Sequence, residues 1–260
     1  MKYFWNMLIA LSSLFVLQGC SSSAPSADTA TPTAVPAEEV TEKVKEVKEQ
    51  APVAEPEVAV EAEDFIEYAG TTKVLIETEL GNMEAVLYDN TPGHRDNFVK
   101  LISEGFYDGL LFHRVIDGFM IQGGDPESRD APAGQRLWSG GPGYQIPAEI
   151  GAPHIKGTLA AARTNNPQKE SSGSQFYISQ GTTQSESSLA RTEAQKWITY
   201  SPAQKEKYLE LWWVPMLDAE YTVFGELTTG LDVIDKITAV QTAPGDRPLE
   251  DVSMKISVIE

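Results

Sequence analysis

The sequence predicts a mainly β domain over residues 71–260, preceded by a leader and an acidic tether. In that domain, short apolar runs separated by Gly, Pro, Asn and Asp are typical of strands and turns. Charge divides the chain at the same place. Residues 21–70 carry 12 acidic and 3 basic side chains, a net of −9, whereas residues 71–260 carry 26 and 16, a net of −10. The first segment is far more charged per residue, so the two are interpreted separately.

Residues 1–19 have the features of a secretory signal peptide. One charge, at Lys2, precedes an apolar run shorter than the roughly 20 residues that span a bilayer. The run ends at Leu17-Gln18-Gly19-Cys20, which resembles the lipobox of bacterial lipoproteins. That resemblance implies a lipidated Cys20, with diacylglycerol on its sulfur and an acyl chain of the palmitate type on its amino group. Several chains anchor a protein stably in a membrane. The alternative is a soluble secreted protein with an incidental cysteine.

Residues 20–70 are predicted to form a disordered acidic tether. The segment has five prolines, many Ala and Glu residues, and no aromatic residue before Phe65. Such a composition buries too little apolar surface to offset the entropy lost on ordering. Fully extended, the tether would reach on the order of 150 Å at about 3.3 Å per residue. We interpret it as a spacer that holds a domain off a membrane, with an acidic binding tail as the alternative.

Composition excludes several functional classes. Cys20 is the one cysteine, which rules out an intramolecular disulfide framework and a multi-cysteine metal site. Three histidines, His94, His113 and His154, argue against a His-rich metal site. A net charge of −18 argues against sequence-independent nucleic-acid binding, which needs a basic stripe. We therefore predict no metal, no cofactor and no nucleic-acid partner.

The first elements of the domain follow from local patterns. Residues 73–78 and 82–88 are strand-like, with a turn between them. Thr91 and Pro92 are typical of a helix start, and Gly105 is placed to end that helix. The pattern therefore predicts a hairpin followed by a helix.

Residues 112–126 hold the pattern that bears on chemistry. Two short apolar runs flank Asp117-Gly118, which is a strong hairpin signal. A two-residue turn would place Arg114 opposite Ile121, whereas a three-residue loop with a bulge would place it opposite Gln122. We choose the second register because it groups a cation, an amide and apolar side chains on one face. The neighbouring histidine at position 113 should then point to the other face.

This run resembles the signature of the cyclophilins, which are peptidyl-prolyl cis-trans isomerases. Further matches follow in the family order across residues 73–260. They are Phe106-Tyr107-Asp108-Gly109, Gly157-Thr158-Leu159-Ala160-Ala161-Ala162-Arg163, Gly173-Ser174-Gln175-Phe176-Tyr177-Ile178, Leu217-Asp218, Tyr221-Thr222-Val223-Phe224-Gly225 and Gly230-Leu231-Asp232. The resemblance implies a closed eight-stranded antiparallel β-barrel capped by two helices, near residues 92–104 and 230–238.

The same resemblance implies an enzyme that isomerises X-Pro bonds. Arg114 matches the family's catalytic arginine, and Gln122 matches the glutamine that orients it. The residues that match the substrate groove are Phe119, Met120, Ala162, Arg163, Gln175, Tyr177, Leu217 and Tyr221. Three positions depart from the common pattern: Arg163 replaces an asparagine, Tyr177 a phenylalanine and Tyr221 a histidine. None of these departures removes the catalytic donor.

Residues from about 182 to 215 are predicted to form a helical insertion, because many cyclophilins have only a short connection before the residue matching Leu217. Thr192 and Ser201 each begin a capping-box pattern. Helical spacing predicts that the second helix continues to about Trp213. The insertion either forms part of the groove rim or packs on the barrel as an extra pair of helices.

The sequence therefore predicts a lipid-anchored prolyl isomerase of the bacterial cell envelope, on the outer membrane and facing the periplasm. Its expected partners are unfolded or flexible proline-containing polypeptides among the exported proteins, whose folding it assists, and the chain itself is expected to be a monomer. One alternative is a non-catalytic holdase that binds proline peptides in the same socket. Another is a surface adhesin or scaffold in which the insertion matters most. His94 and His154 show no partner cluster in the sequence and are assigned no chemistry.

Overall fold

A computed structural model of the chain describes residues 70–259. The predicted signal peptide, Cys20 and all of the tether before Gly70 lie outside these residues. Within the described range, none of the helices has both the length and the apolar character needed to cross a membrane.

Thirteen strands and four helices make up the described part of the chain. The strands are β1 (Thr72–Thr78), β2 (Gly81–Leu87), β3 (Leu110–Leu111), β4 (Arg114–Ile116), β5 (Met120–Gly123), β6 (Gln145–Ile146), β7 (Thr158–Ala161), β8 (Ser171–Ser172), β9 (Phe176–Ser179), β10 (Thr182–Thr183), β11 (Trp212–Trp213), β12 (Val223–Thr229) and β13 (Ser253–Ile259). The helices are α1 (Pro92–Ser103), α2 (Glu186–Lys196), α3 (Pro202–Glu210) and α4 (Leu231–Thr238). Nine strands form one curled sheet in the order β3-β13-β1-β2-β12-β7-β9-β5-β4, and β6–β8 and β10–β11 form two small ribbons.

One apolar core joins the large sheet to α1 and α4. Alternate side chains of β1, such as Val74 and Ile76, are fully buried because successive residues of a strand face opposite sides. Phe98 of α1 and Ile234 of α4 pack into the same cluster. The two helices predicted near residues 92–104 and 230–238 are confirmed in type and in position within a residue or two.

The predicted closed barrel of eight strands is wrong in both closure and count. Nine strands form an open, curled antiparallel sheet whose edges are the short strands β3 and β4. These edges do not pair with each other. The edge of β4 instead contacts the segment after α4, where the N–H of Val115 donates to the carbonyl of Asp246 at 2.8 Å. Directly after β3, the N–H of Phe112 donates to the carbonyl of Val252 at 2.9 Å, which extends the pairing of β3 with β13.

The insertion contains two helices, but their bounds differ from the prediction. The first begins at a capping box on Ser185, whose hydroxyl accepts from the N–H of Ser188, so Thr192 lies inside the helix. The second begins at the predicted box on Ser201 but ends at Glu210. The chain then extends, and Trp212–Trp213 pairs with Thr182–Thr183 as β11 and β10, which replaces the predicted last turn of helix.

Candidate active site

A groove with a cavity of about 730 Å³ lies beside the hairpin of β4 and β5. Every residue predicted for catalysis or substrate binding lines it. They are Arg114, Phe119, Met120, Gln122, Ala162, Arg163, Gln175, Tyr177, Leu217 and Tyr221. The structure therefore gathers on one surface ten side chains that come from five separate parts of the sequence.

The hairpin adopts the register chosen from the sequence. Arg114 lies opposite Gln122, and Ile116 lies opposite Met120. Gly118 occupies the loop with φ +71°, a backbone conformation that glycine adopts without steric cost. Because side chains alternate along a strand, this register turns Arg114 and Gln122 to the groove, while Val115, the next residue of β4, is buried in the core.

A polar chain crosses the groove from the arginine. Nη1 of Arg114 donates to Oε1 of Gln122 at 3.4 Å, and its Nε donates to Oδ2 of Asp246 at 3.5 Å. Nε2 of Gln122 donates to Oε1 of Gln175 at 3.0 Å. Gln175 in turn donates to the carbonyls of Trp138 and Gly140, at 2.9 and 2.8 Å, on the opposite rim. The guanidinium is thus aligned by long contacts and keeps donor capacity toward the groove.

An apolar socket adjoins this polar chain. Met120, Tyr177 and Leu217 are buried in one cluster, and Phe119, Ala162 and Tyr221 pack against it while still lining the groove. The rings of Tyr177 and Tyr221 lie 5.9 Å apart at an interplanar angle of 83°. Two aromatic walls and aliphatic side chains make a shape that suits a small apolar ring.

Arg163 serves this site through its contacts with neighbouring residues. Its Nε donates to the carbonyl of Glu220 at 2.9 Å, Nη2 donates to Oε2 of Glu220 at 3.0 Å, and Nη1 donates to the carbonyl of Thr164 at 3.3 Å. The guanidinium also stacks 4.7 Å from the ring centroid of Tyr221. Its side chain therefore supports the Tyr221 wall, and its donors point to the protein.

His94 and His154, for which the sequence shows no partner cluster, each have hydrogen-bond partners in the structure. Nδ1 of His94 lies 2.6 Å from Oε2 of Glu149, and its Nε2 lies 3.0 Å from Oγ of Ser171. His154 lies between Asp218 and Tyr177 at 2.9 Å from each. These partners are 23 to 77 positions away in sequence, so no local pattern signals them.

The third histidine, His113, is buried at the back of the hairpin, away from the groove lining. Burial lowers its pKa to about 4, so the imidazole is neutral at neutral pH. Across residues 70–259, no three His, Cys, Asp or Glu side chains converge as a metal site would require.

Comparisons with known proteins agree with this geometry. The family model described as cyclophilin type peptidyl-prolyl cis-trans isomerase/CLD matches residues 73–258. A Staphylococcus aureus protein (strain USA300) named for peptidyl-prolyl cis-trans isomerase activity is 32% identical over 192 residues, which cover 74% of this chain and 93% of that protein. Its Staphylococcus saprophyticus counterpart is 34% identical over 190 residues, covering 72% and 92%.

Two further similarities are more limited, one in the share of the relative that is matched and the other in sequence identity. A Streptococcus pyogenes protein named as a bifunctional phosphatase and peptidyl-prolyl cis-trans isomerase is 38% identical over 185 residues, and the match spans only 37% of its length. The crystal structure of a Cryptosporidium parvum cyclophilin, obtained in the presence of the dipeptide Ala-Pro, superposes with a TM-score of 0.52 at 23% identity. It covers 72% of this chain and 99% of that one, and it supports the similarity of fold.

Proposed function

Because this chain belongs to the cyclophilin-type peptidyl-prolyl cis-trans isomerases, we propose that its groove rotates X-Pro bonds of exported proteins, with Arg114 as the hydrogen-bond donor. Gln122 orients that donor, and the socket of Met120, Tyr177 and Leu217 holds the proline ring. Assistance to the folding of exported proteins follows from this activity.

The chemistry requires stabilisation of a twisted amide. Conjugation of the nitrogen lone pair with the carbonyl gives the bond a rotation barrier of roughly 18–20 kcal/mol. As the bond twists, the prolyl nitrogen becomes pyramidal and regains a localised lone pair. A guanidinium that donates to this nitrogen binds the twisted state better than the planar one, which lowers the barrier. Arginine suits the role because it stays protonated and presents a planar fork of donors.

One observation supports this proposal above the others: Arg114 and the apolar socket lie in a single groove. The hairpin register turns the arginine toward the groove, and its side chain is 38% exposed. A buried and fully paired arginine would be unable to reach a substrate.

A coupled peptide assay on the full chain tests the role of Arg114. We expect Arg114→Ala to lower kcat/KM about 100- to 1000-fold, as removal of one transition-state donor does. Arg191→Ala is the matched control, because Arg191 lies on the exposed side of α2. Equal rates for wild type and Arg114→Ala would refute the mechanism. Peptide binding by wild type without acceleration would favour the holdase alternative.

We also propose that the enzyme is a lipoprotein on the periplasmic side of the outer membrane. Its support is the leader and Cys20 of the sequence. The test is palmitate labelling and membrane fractionation of the full chain in a bacterial host. Cys20→Ala should lose the label and leave the membrane fraction, whereas Ser21→Ala should keep both. Labelling of Cys20→Ala would contradict the proposal.

A further inference from the structure

A chain of buried hydrogen bonds runs from the insertion to the wall of the groove. Oη of Tyr200 donates to Oδ2 of Asp218 at 3.0 Å. Oδ1 of Asp218 lies 2.9 Å from Nδ1 of His154, and Nε2 of His154 lies 2.9 Å from Oη of Tyr177. These four residues are at most 7% exposed. They include Tyr177, the position at which the family commonly carries a phenylalanine without a hydroxyl group.

The direction of each hydrogen bond follows from the groups involved. The carboxylate of Asp218 accepts hydrogen bonds, so we assign the Nδ1–H tautomer to His154, whose Nδ1 donates to Asp218. In this tautomer Nε2 is an acceptor, and the Tyr177 hydroxyl, whose pKa burial raises well above its usual range, donates to it. The backbone N–H of His154 donates to the same carboxylate oxygen at 2.9 Å. Each polar side-chain atom of these four residues thus has a partner, as a buried network requires.

The position of the network ties it to two walls of the socket. The hydroxyl bond holds the far end of the Tyr177 ring, which packs parallel to the imidazole of His154 at 5.9 Å and 12°. Asp218 directly follows Leu217, another wall, so a fixed carboxylate also fixes that backbone. One carboxylate therefore restrains both an aromatic and an aliphatic wall.

The other end of the network belongs to the insertion. Tyr200 lies between α2 and α3, and its ring packs against Tyr208 and Trp213 at centroid distances of 5.1 Å each. Since Trp213 lies on β11, a few residues before Leu217, the insertion supports the socket from outside the groove. An extra pair of helices with a purely packing role would not need a polar connection to the groove.

We propose that His154 and Asp218 are positioning residues, which hold the Tyr177 ring as a wall of the proline socket, and that Tyr200 couples the insertion to this wall. The inference rests on the proposed function, because it takes Tyr177 as part of the site that binds substrate. The network sets the affinity for the proline residue, while Arg114 supplies the transition-state donor.

A double-mutant cycle in the full chain tests the proposal. Tyr177→Phe removes only the hydroxyl, and we expect the peptide KM to rise about threefold to tenfold with kcat within about twofold, the effect of losing one hydrogen bond that positions a binding wall. Tyr200→Phe should raise KM about threefold. The double variant should have the same KM as Tyr177→Phe alone, because Tyr200 acts on the socket through the hydroxyl that Tyr177→Phe removes.

Tyr107→Phe is the matched control. It also removes a buried tyrosine hydroxyl bond, to the carbonyl of Ser174 at 3.2 Å, but lies outside the groove lining. This variant should lower the melting temperature while leaving KM unchanged.

Several outcomes would overturn the inference. KM of Tyr200→Phe could match wild type while its melting temperature falls, or the KM effects of the two variants could add. If Tyr177→Phe does not fold, nitrogen NMR of the His154 imidazole in Tyr200→Phe replaces it. A change of the His154 signals with a raised KM supports the coupling, whereas unchanged signals refute it. Failure of the proposed function looks different, because wild type and Arg114→Ala would then show equal rates.

Discussion

Arg114 in the groove and the hydrogen-bond network behind Tyr177 are held in opposite ways. Arg114 makes contacts of 3.4 and 3.5 Å, and its side chain is 38% exposed. Behind Tyr177, the bonds through His154 and Asp218 measure 2.9 to 3.0 Å, and their side chains are at most 7% exposed. In the proposed mechanism, this difference separates two tasks: the donor must leave its partners and reach the substrate, while the socket must keep its shape.

Energetics favour this division. Hydrogen bonds near 3.5 Å between partly exposed groups are weak, so in the proposed mechanism the guanidinium loses little when it turns to a twisted amide. Buried polar groups cost about 1–3 kcal/mol each when they lose a partner. The socket network therefore resists displacement by a bound peptide, and the arginine does not.

The largest expected effect comes from changing the donor itself. Arg114→Lys keeps the charge but loses the planar fork, so we expect kcat/KM to fall 100-fold or more, with the loss in kcat. The measurement is the coupled peptide assay, with Arg191→Lys as the control on α2. A lysine variant near wild-type rate would show that charge alone suffices.

Acid should destabilise the folded state through His113, which is buried next to the hairpin that carries Arg114. Burial lowers the pKa of His113 to about 4 from the ordinary 6.5, so the unfolded chain takes up this proton first as the pH falls. The stability that depends on a neutral His113 is fully present above pH 6.5 and is lost as the pH falls toward 4. We expect the free energy of unfolding to fall by about 3 kcal/mol over this range.

Urea unfolding between pH 7 and pH 4.5 measures this loss. Neither ring nitrogen of His113 makes a hydrogen bond of normal geometry among residues 70–259, so His113→Leu should leave stability at pH 7 nearly unchanged. It should also flatten the pH dependence. Burial lowers the pKa of His94 too, so part of the slope remains. An unchanged slope in His113→Leu would contradict the prediction.

A smaller effect is expected from the residue that aligns the donor. Gln122→Ala removes the bond to Arg114 and the connection to Gln175, and we expect kcat/KM to fall about tenfold. Gln195→Ala, at an exposed position of α2, is the control. A fall as deep as that of Arg114→Ala would mean that the arginine is held rigidly, against the comparison drawn above.

The smallest effect should come from Asp246. Its contact with Arg114 is long and partly exposed to solvent, so Asp246→Asn should change kcat/KM by less than about twofold. Asparagine is the suitable replacement because residue 246 has φ +64°, which asparagine tolerates. A tenfold loss in the same assay would show that this pair positions the donor.

The elements that could be predicted from the residues themselves depend on short-range patterns, whereas the groove residues beyond the hairpin were predicted only through the family resemblance. Asp117-Gly118 between apolar runs defines a hairpin within a dozen residues. The register of Arg114 opposite Gln122 was then chosen because it groups a cation, an amide and apolar side chains on one face. The capping box at Ser201 is likewise local. The helix of 92–103 was visible from Thr91 and Pro92 for the same reason.

The parts that were not predictable depend on pairing across long distances. Whether the sheet closes depends on the backbone groups of β3 and β4, which meet a segment that is more than a hundred residues away. His154 meets Asp218 across 64 residues, and neither has a distinctive local pattern. The helix predicted to reach Trp213 ends at Glu210, because Trp213 pairs with Thr182 as a strand despite its helical spacing. Tertiary pairing, which a single sequence does not display, decided each case.

The short edges of the curled sheet have a consequence for the handling of clients. β3 offers two residues and β4 three, and the N–H of Val115 is already engaged by Asp246. A long free edge would recruit the extended segments of an unfolded chain as extra strands and would nucleate co-aggregation. With so few free backbone groups, the sheet offers an extended segment little to pair with and is a poor template for co-aggregation.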